Sequence, residues 1–249
     1  MRSPIDRFES YQGLFRGKDG LEIGGPSELF RKVLPIYEVA RSLDGVNFSH
    51  ETMWEGHLSE GRTFNFMDDR VGWQFICEAV ALGPIADDSY DFVISSNCLE
   101  HVANPLKALS EWRRVIRPGG HLLLVLPRKE SNFDRNREIT SFGHLLADLE
   151  NNTTEQDLTH LDEILERHEY DLDPPLSTRL LSVLTLRGRR PAMTRESMRE
   201  RGLANFENRG LHHHVFDQEL IAAVFRQLDF EPILRTSTVI DHISVARKT

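Results

Sequence analysis

The chain has 249 residues, 39% hydrophobic and 28% charged, with a formal net charge of −9. That is the size and composition of a globular protein of one large domain, and its acidity argues against a general nucleic-acid binder, which needs a basic surface to neutralise phosphates. No apolar run approaches the roughly 20 residues that span a bilayer. The opening MRSPIDRFESYQG lacks the apolar centre of a secretory signal. Two cysteines, Cys77 and Cys98, fit a reducing cytoplasm and exclude a four-cysteine zinc site.

In chain order, GLEIG reads as a buried strand ending in Glu22, with Gly24 and Gly25 forming a tight turn. SELFRKVLPIYEVARSL reads as a helix that Ser27 caps and Pro35 breaks or kinks. GVNFS, WQFICEA and YDFVISSN are short strands, the last preceded by the turn signal ADDS. NPLKALSEWRRVI is the clearest helix: Asn104 caps it, Pro105 opens it, and Leu106, Leu109, Trp112, Val115 and Ile116 form one stripe. RPGG stops it, and HLLLVLP follows as a strand apolar enough to be buried on both faces. Residues 128–214 are polar and mostly helical, with Pro174 and Pro175 inside them. DQELIAAVFRQLDF is an amphipathic helix, and EPILRTSTVI and HISVARK are too close in sequence for a helical crossover, so they pair antiparallel. Alternating strands and helices predict an α/β domain. Its core spans 20–127, an insertion or cap spans 128–214, and residues 215–249 complete the sheet.

The stretch EAVALGPIADDSYDFVISSNCLEHVANPLKALSEWRRVIRPGGHLLLVLP carries four ordered motifs: Asp88 to Val93, Leu99 to Val102, Glu111 to Ile116 and Arg117 to Gly120. It resembles the class I S-adenosylmethionine-dependent methyltransferases, in particular the type 11-like group. The resemblance covers roughly Leu21 to Pro127 and, more loosely, Phe216 to Arg247. It implies a Rossmann-like, doubly wound, seven-stranded sheet, mostly parallel with an antiparallel C-terminal strand, and S-adenosylmethionine as cofactor. It also implies a cofactor site. Glu22 would accept from the cofactor's ammonium group, directly or through water, with Gly24 and Gly25 letting the backbone approach. Asn47 stands where the family places a ribose-binding acid, with Asp44 nearby as a carboxylate that could compensate. An aspartate at 47 would restore the family's acid. Glu78 and Ala79 would meet the adenine, and Ser96 and Asn97 would sit at the mouth of the sheet. Pro26 and Glu28 depart from the family's glycines. Trp54 and Trp73 either wall an aromatic pocket or belong to the core.

The expected reaction is O-methylation of a small-molecule or sugar-containing acceptor by a monomer or homodimer, without a membrane partner. A hydroxyl acceptor gains from a general base. His160 oriented by Asp157 is the first candidate, because on a helix an Asp-x-x-His pair shares a face. His144, four residues before Asp148, and His101 are the others, although His101 reads more readily as part of a packed turn beside the cofactor. LHHHVF puts His212 and His214 on one face of an extended segment, but no partner spacing accompanies them and no metal site is expected. The arginine-rich run 186–202 keeps an RNA acceptor open, and Pro26, Glu28 and Asn47 keep open a cofactor-binding regulator without catalysis.

Overall fold

The structure, a computed structural model, describes residues 11–172 and 193–249. Pro174, Pro175 and the 186–192 part of the arginine-rich run lie outside the described residues. The principal sheet has eight strands in the order β5-β6-β2-β1-β7-β8-β10-β9. Here β1 is Asp19–Ile23, β2 Ser42–Asn47, β5 Gly61–Met67, β6 Arg70–Ile76, β7 Tyr90–Ser96, β8 Ile116–Pro127, β9 Phe230–Ser237 and β10 Asp241–Lys248. A two-residue pair, β3 Glu51–Thr52 and β4 Gly56–His57, stands apart. Strands β6, β2, β1, β7 and β8 run parallel. Strand β10 runs antiparallel to both β8 and β9.

The expected seven strands are therefore present, and the eighth is β5, antiparallel to β6 at the sheet edge. Its buried Phe64 and Phe66 alternate with exposed Thr63 and Asn65, the period-2 pattern of a half-buried strand. Both faces of the sheet are covered, as a parallel sheet requires. Along β8, Leu122, Leu124 and Leu126 join a core with Leu106, Leu109, Trp112 and Phe225. The alternate residues Leu123 and Val125 join a second core with Phe15, Phe30, Tyr37 and Phe92.

Helix Pro105–Val115 begins as expected: the Asn104 side chain accepts from Lys107 N–H at 3.1 Å and Pro105 takes the first turn. It ends one residue early because Ile116 already belongs to β8, which runs through RPGG. The helix expected from Ser27 to Leu43 is broken at Pro35. A five-residue π-helical turn, Leu29–Val33, is followed by the short helix Ile36–Val39, and the chain is extended again by Ser42. Between β8 and the final helix Gln218–Gln227 lie helices Phe142–Glu150, Leu161–Arg167, Arg195–Leu203 and Asn205–Asn208. They have a small core of their own, formed by Leu161, Ile164, Leu165, Met193, Met198 and Leu211.

Gly72 is where β6 passes close to β2. A Cβ placed there would lie 1.7 Å from the Leu43 carbonyl oxygen. Gly72→Ala is expected to cost about 1–3 kcal/mol through overpacking, read as a lower midpoint in urea denaturation. An unchanged midpoint would show that the two strands separate freely.

Candidate functional site

A cleft of about 910 Å³ opens at the carboxyl ends of β1, β2, β6 and β7, where open α/β sheets hold ligands. Gly24, Asn47, Glu78, Ala79, Ser96 and Asn97 all line it. The sheet has brought together residues that are far apart in sequence, each just past the end of its own strand.

Glu22 does not line this cleft. Its side chain is folded beneath the loop that follows β1. Tyr37 O–H donates to one carboxylate oxygen at 2.5 Å, and Ser27 N–H donates to the other at 3.0 Å. Burial pushes its carboxyl up to about 8. A Cβ on Gly25 would fall 2.2–2.6 Å from the Glu22 carboxylate, so glycine is required for the loop to close over it. Gly24 has φ +82°, and a Cβ there would reach Cys98 Sγ at 2.9 Å. Glu22 thus shapes the loop from beneath, with both carboxylate oxygens engaged by loop and helix partners.

Asn47 Nδ2–H donates to the Gly25 carbonyl at 2.8 Å, tying the end of β2 to the same loop. That leaves the amide oxygen of this buried side chain as its acceptor on the cleft. Asp44 offers no compensation: its oxygens accept from Trp73 N–H and Tyr90 O–H, both at 2.7 Å. Glu78 is paired with the Arg209 guanidinium at 2.6 Å, and Arg209 also meets Glu155 at 2.8 Å. Phe48 and Phe206 pack on that guanidinium, with ring centroids 4.9 and 5.0 Å away. Trp112 Nε1–H donates to the Ala79 carbonyl at 3.0 Å. Glu111 accepts from Leu82 N–H at 3.0 Å, and Arg114 donates to the Leu82 and Ile85 carbonyls, both at 2.9 Å. The Glu-x-x-Arg motif therefore fastens the loop after β6.

The catalytic expectations fare differently. Asp157 and His160 do not share a helix face, because helix Leu161–Arg167 begins only after His160. The Asp157 carboxylate is taken by Thr159, whose N–H donates at 3.2 Å and O–H at 2.7 Å. His160 meets His144 instead, Nε2 to Nε2 at 2.9 Å, and neither residue lines the cleft. His144 does approach Asp148, at 3.4 Å. His101 lines the cleft with its Nδ1 3.1 Å from the Leu211 carbonyl, and burial holds its pKa well below the ordinary value. Trp54 walls the cleft beside it, with ring centroids 5.1 Å apart, whereas Trp73 lies on the exposed face of β6.

The group that the sequence left unassembled is centred on His212, singled out there only for sharing a face with His214. Its Nδ1 is 2.5 Å from Asp134 Oδ2. Burial alone would lower the His212 imidazole, but the charge and hydrogen bond of Asp134, with Glu100, outweigh it and raise the pKa. Burial likewise opposes ionisation of Asp134, yet His212 and Arg137 hold its carboxyl well below the usual range. Arg137 donates to Asp134 at 2.9 Å and to the His212 and His213 carbonyls at 2.8 and 3.3 Å. The His213 N–H donates to the Glu100 carbonyl at 2.8 Å. Burial pushes the Glu100 carboxyl up to about 7. Asp134 and His212 are 78 positions apart, so no local spacing could have announced them; the triple histidine was the one visible signal.

Comparison with known proteins locates this arrangement. Residues 21–124 match the family model described as a methyltransferase domain. A demethylmenaquinone methyltransferase of Clavibacter sepedonicus is 40% identical over 70 residues, covering 28% of each chain. An uncharacterized methyltransferase of Mycolicibacterium vanbaalenii is 54% identical over 56 residues, covering 22% of each. The matched segments span only 14–36% of the length of the curated relatives. Among solved structures, an S-adenosylmethionine-dependent methyltransferase from Mesorhizobium loti aligns with TM-score 0.53 at 13% identity, over 97% of this chain and 96% of its own. A second, from Aquifex aeolicus, aligns with TM-score 0.51 at 12% identity, over 99% of this chain and 90% of its own. The fold is thus the Rossmann-like α/β fold of class I methyltransferases. Among the described residues no helix is long and apolar enough to cross a membrane.

Two predictions follow from the loop after β1. Because Glu22 stays protonated in the folded chain to about pH 8 while its unfolded value is 4.5, its contribution to stability is complete below pH 4.5. That contribution is lost as pH rises through 8, on the order of 1.4 kcal/mol per pH unit within the window. Glu22→Gln should flatten this part of the profile in denaturant titrations between pH 5 and 8; an unaltered slope would mean that Glu22 is ionised in the fold. Asn47→Asp should weaken cofactor binding rather than restore it. It removes the donor to the Gly25 carbonyl, at a cost of about 1–3 kcal/mol, and calorimetry should read the loss together with a lower melting temperature.

Proposed function

We propose, from the match of residues 21–124 to the methyltransferase-domain model, that the chain is an S-adenosylmethionine-dependent methyltransferase acting on a hydroxyl of a small-molecule or sugar-containing acceptor. The observation that carries the reading is His212, which is paired with Asp134 and lines the same cleft as the loops after β1, β2 and β6.

The residues present fit the cofactor. Gly24 keeps the loop backbone bare where a Cβ would meet Cys98. Asn47 lines the cleft and keeps an amide oxygen able to accept from hydroxyls, and Glu78 and Ala79 would meet the adenine, with Ile23, Val46 and Val80 as apolar lining. When bound, S-adenosylmethionine supplies a methyl group already activated on a sulfonium.

The chain's own task is then to position the acceptor and take its proton. Holding the acceptor oxygen in line with the methyl group supplies much of the rate through proximity. Asp134 fixes the His212 imidazole and raises its basicity. The Glu100 carboxylate lies beside the ring as a second acid–base group. Residues 128–172 and 193–214 wall this side of the cleft through Phe133, Glu155 and Arg209, which favours exclusion of water during transfer. His212→Ala should lower turnover by about a hundred- to ten-thousandfold while leaving the calorimetric affinity for S-adenosylhomocysteine within a few-fold. Donor binding without methyl release from any hydroxyl acceptor pool would favour a non-catalytic, cofactor-binding role. Absence of donor binding would refute the whole reading.

A further inference from the structure

Glu100 poses a chemical problem. It is 1% exposed, and neither carboxylate oxygen has a hydrogen-bond partner. A buried carboxylate without partners is costly and is rarely left so. Its neighbours are two imidazoles. One ligand-competent atom from each of Glu100, His101 and His212 lies within 4.8 Å of the others.

The outer contacts of both rings match those of metal-bound histidines, which direct their other ring nitrogen at a carboxylate or a backbone carbonyl. His212 Nδ1 is committed to Asp134 Oδ2 at 2.5 Å, and His101 Nδ1 to the Leu211 carbonyl at 3.1 Å. Each ring therefore has Nε2 left to offer. The backbone holds the three residues together: Glu100 and His101 share one 3₁₀ turn, Leu99–His101, and the Glu100 carbonyl accepts from His213 N–H. All three residues line the cleft, so a cation there keeps coordination positions open to a ligand, the mark of a catalytic rather than a structural site.

We propose that Glu100, His101 and His212 form a binding site for one divalent first-row transition-metal ion. Two imidazoles and a carboxylate suit zinc or cobalt better than magnesium, which prefers oxygen ligands and its own water. The inference deepens the reading above, rests on it for the position of the acceptor, and moves the proton-accepting role from the His212 ring to Glu100. A hydroxyl on an open coordination position loses its proton more readily. The O–H bond breaks, the proton passes to the second Glu100 oxygen, and the oxygen keeps the electron pair with which it attacks the donor's methyl carbon; the O–C bond forms as the S–C bond breaks and S-adenosylhomocysteine leaves. His212 then holds the ion, and Asp134 is a positioning residue behind it.

A second cluster competes for the same assignment. Atoms of His144, Asp148 and His214 also lie within 4.8 Å of one another, and Asp148 Oδ2 is buried without a hydrogen bond. There, however, His214 Nε2 already lies 3.2 Å from the Ala103 carbonyl, and none of the three residues lines the cleft.

The test is equilibrium binding of Zn²⁺ and Co²⁺ to the chelator-stripped protein, by calorimetry and by cobalt absorption, without donor or acceptor present. One equivalent should bind. Glu100→Gln and His101→Ala should abolish binding, and Asp134→Asn should weaken it about 10- to 100-fold. His144→Ala should leave it unchanged. No uptake by the wild-type chain would overturn the site, as would loss of binding in His144→Ala with Glu100→Gln unaffected. Methyl transfer that survives chelation in a protein unable to bind either ion would reject the metal while sparing the methyltransferase reading.

Discussion

One buried cation organises the half of the cleft that the sheet does not build. Arg137 is 3% exposed and lies between Asp134 and Glu163, with the His212 and His213 carbonyls also on its guanidinium. Breaking such a pair strands charges in a low-dielectric interior and typically costs several kcal/mol. Its planar fork makes these contacts at once, which a lysine could not do. Through it the segment of three histidines is held against Glu100. The positions of His212, Glu100 and His101 are therefore one linked fact rather than three.

The two halves of the cleft are built in different ways. On the sheet side, each residue follows its own strand, and local devices finish the surface: Glu22 under its loop, Asn47 on Gly25, Trp112 on Ala79. On the other side, contacts join segments about fifty to more than a hundred positions apart, such as Glu155 with Asn205 and His101 with Leu211. Arg209 is the link across the divide, because it meets Glu78 on one side and Glu155 on the other. A ligand seeking Glu78 must share that carboxylate with a guanidinium or displace it.

This division explains what could be read in advance. The alternation of strand and helix patterns pointed to the α/β fold, and the Asn104-Pro105 start was legible because capping is a local event. The hairpin β5–β6 was legible too: FNFMDDRVGWQF alternates on both sides of Asp68-Asp69, but only its second half was recognised as a strand. Pro35 was noted as a breaker, yet the helical pattern around it was extended too far. The role of Glu22 depended on depth of burial, which a one-dimensional pattern does not carry. Asp157 and His160 had suitable spacing on an element that proved not to be helical there. Asp134 and His212 were out of reach because tertiary contact alone pairs them.

The small core beneath the cap has a dynamic consequence. Leu161, Ile164, Leu165, Met193, Met198 and Leu211 form a cluster separate from the two layers that sandwich the sheet. Regions with little buried apolar surface open at lower free energy than the elements around them, as cooperative units. Amide protons of helices Leu161–Arg167 and Arg195–Leu203 should therefore exchange with solvent through an opening that leaves β1, β7 and β8 protected. Such breathing gives the helical side of the cleft a way to admit and release its contents while the sheet side keeps its shape.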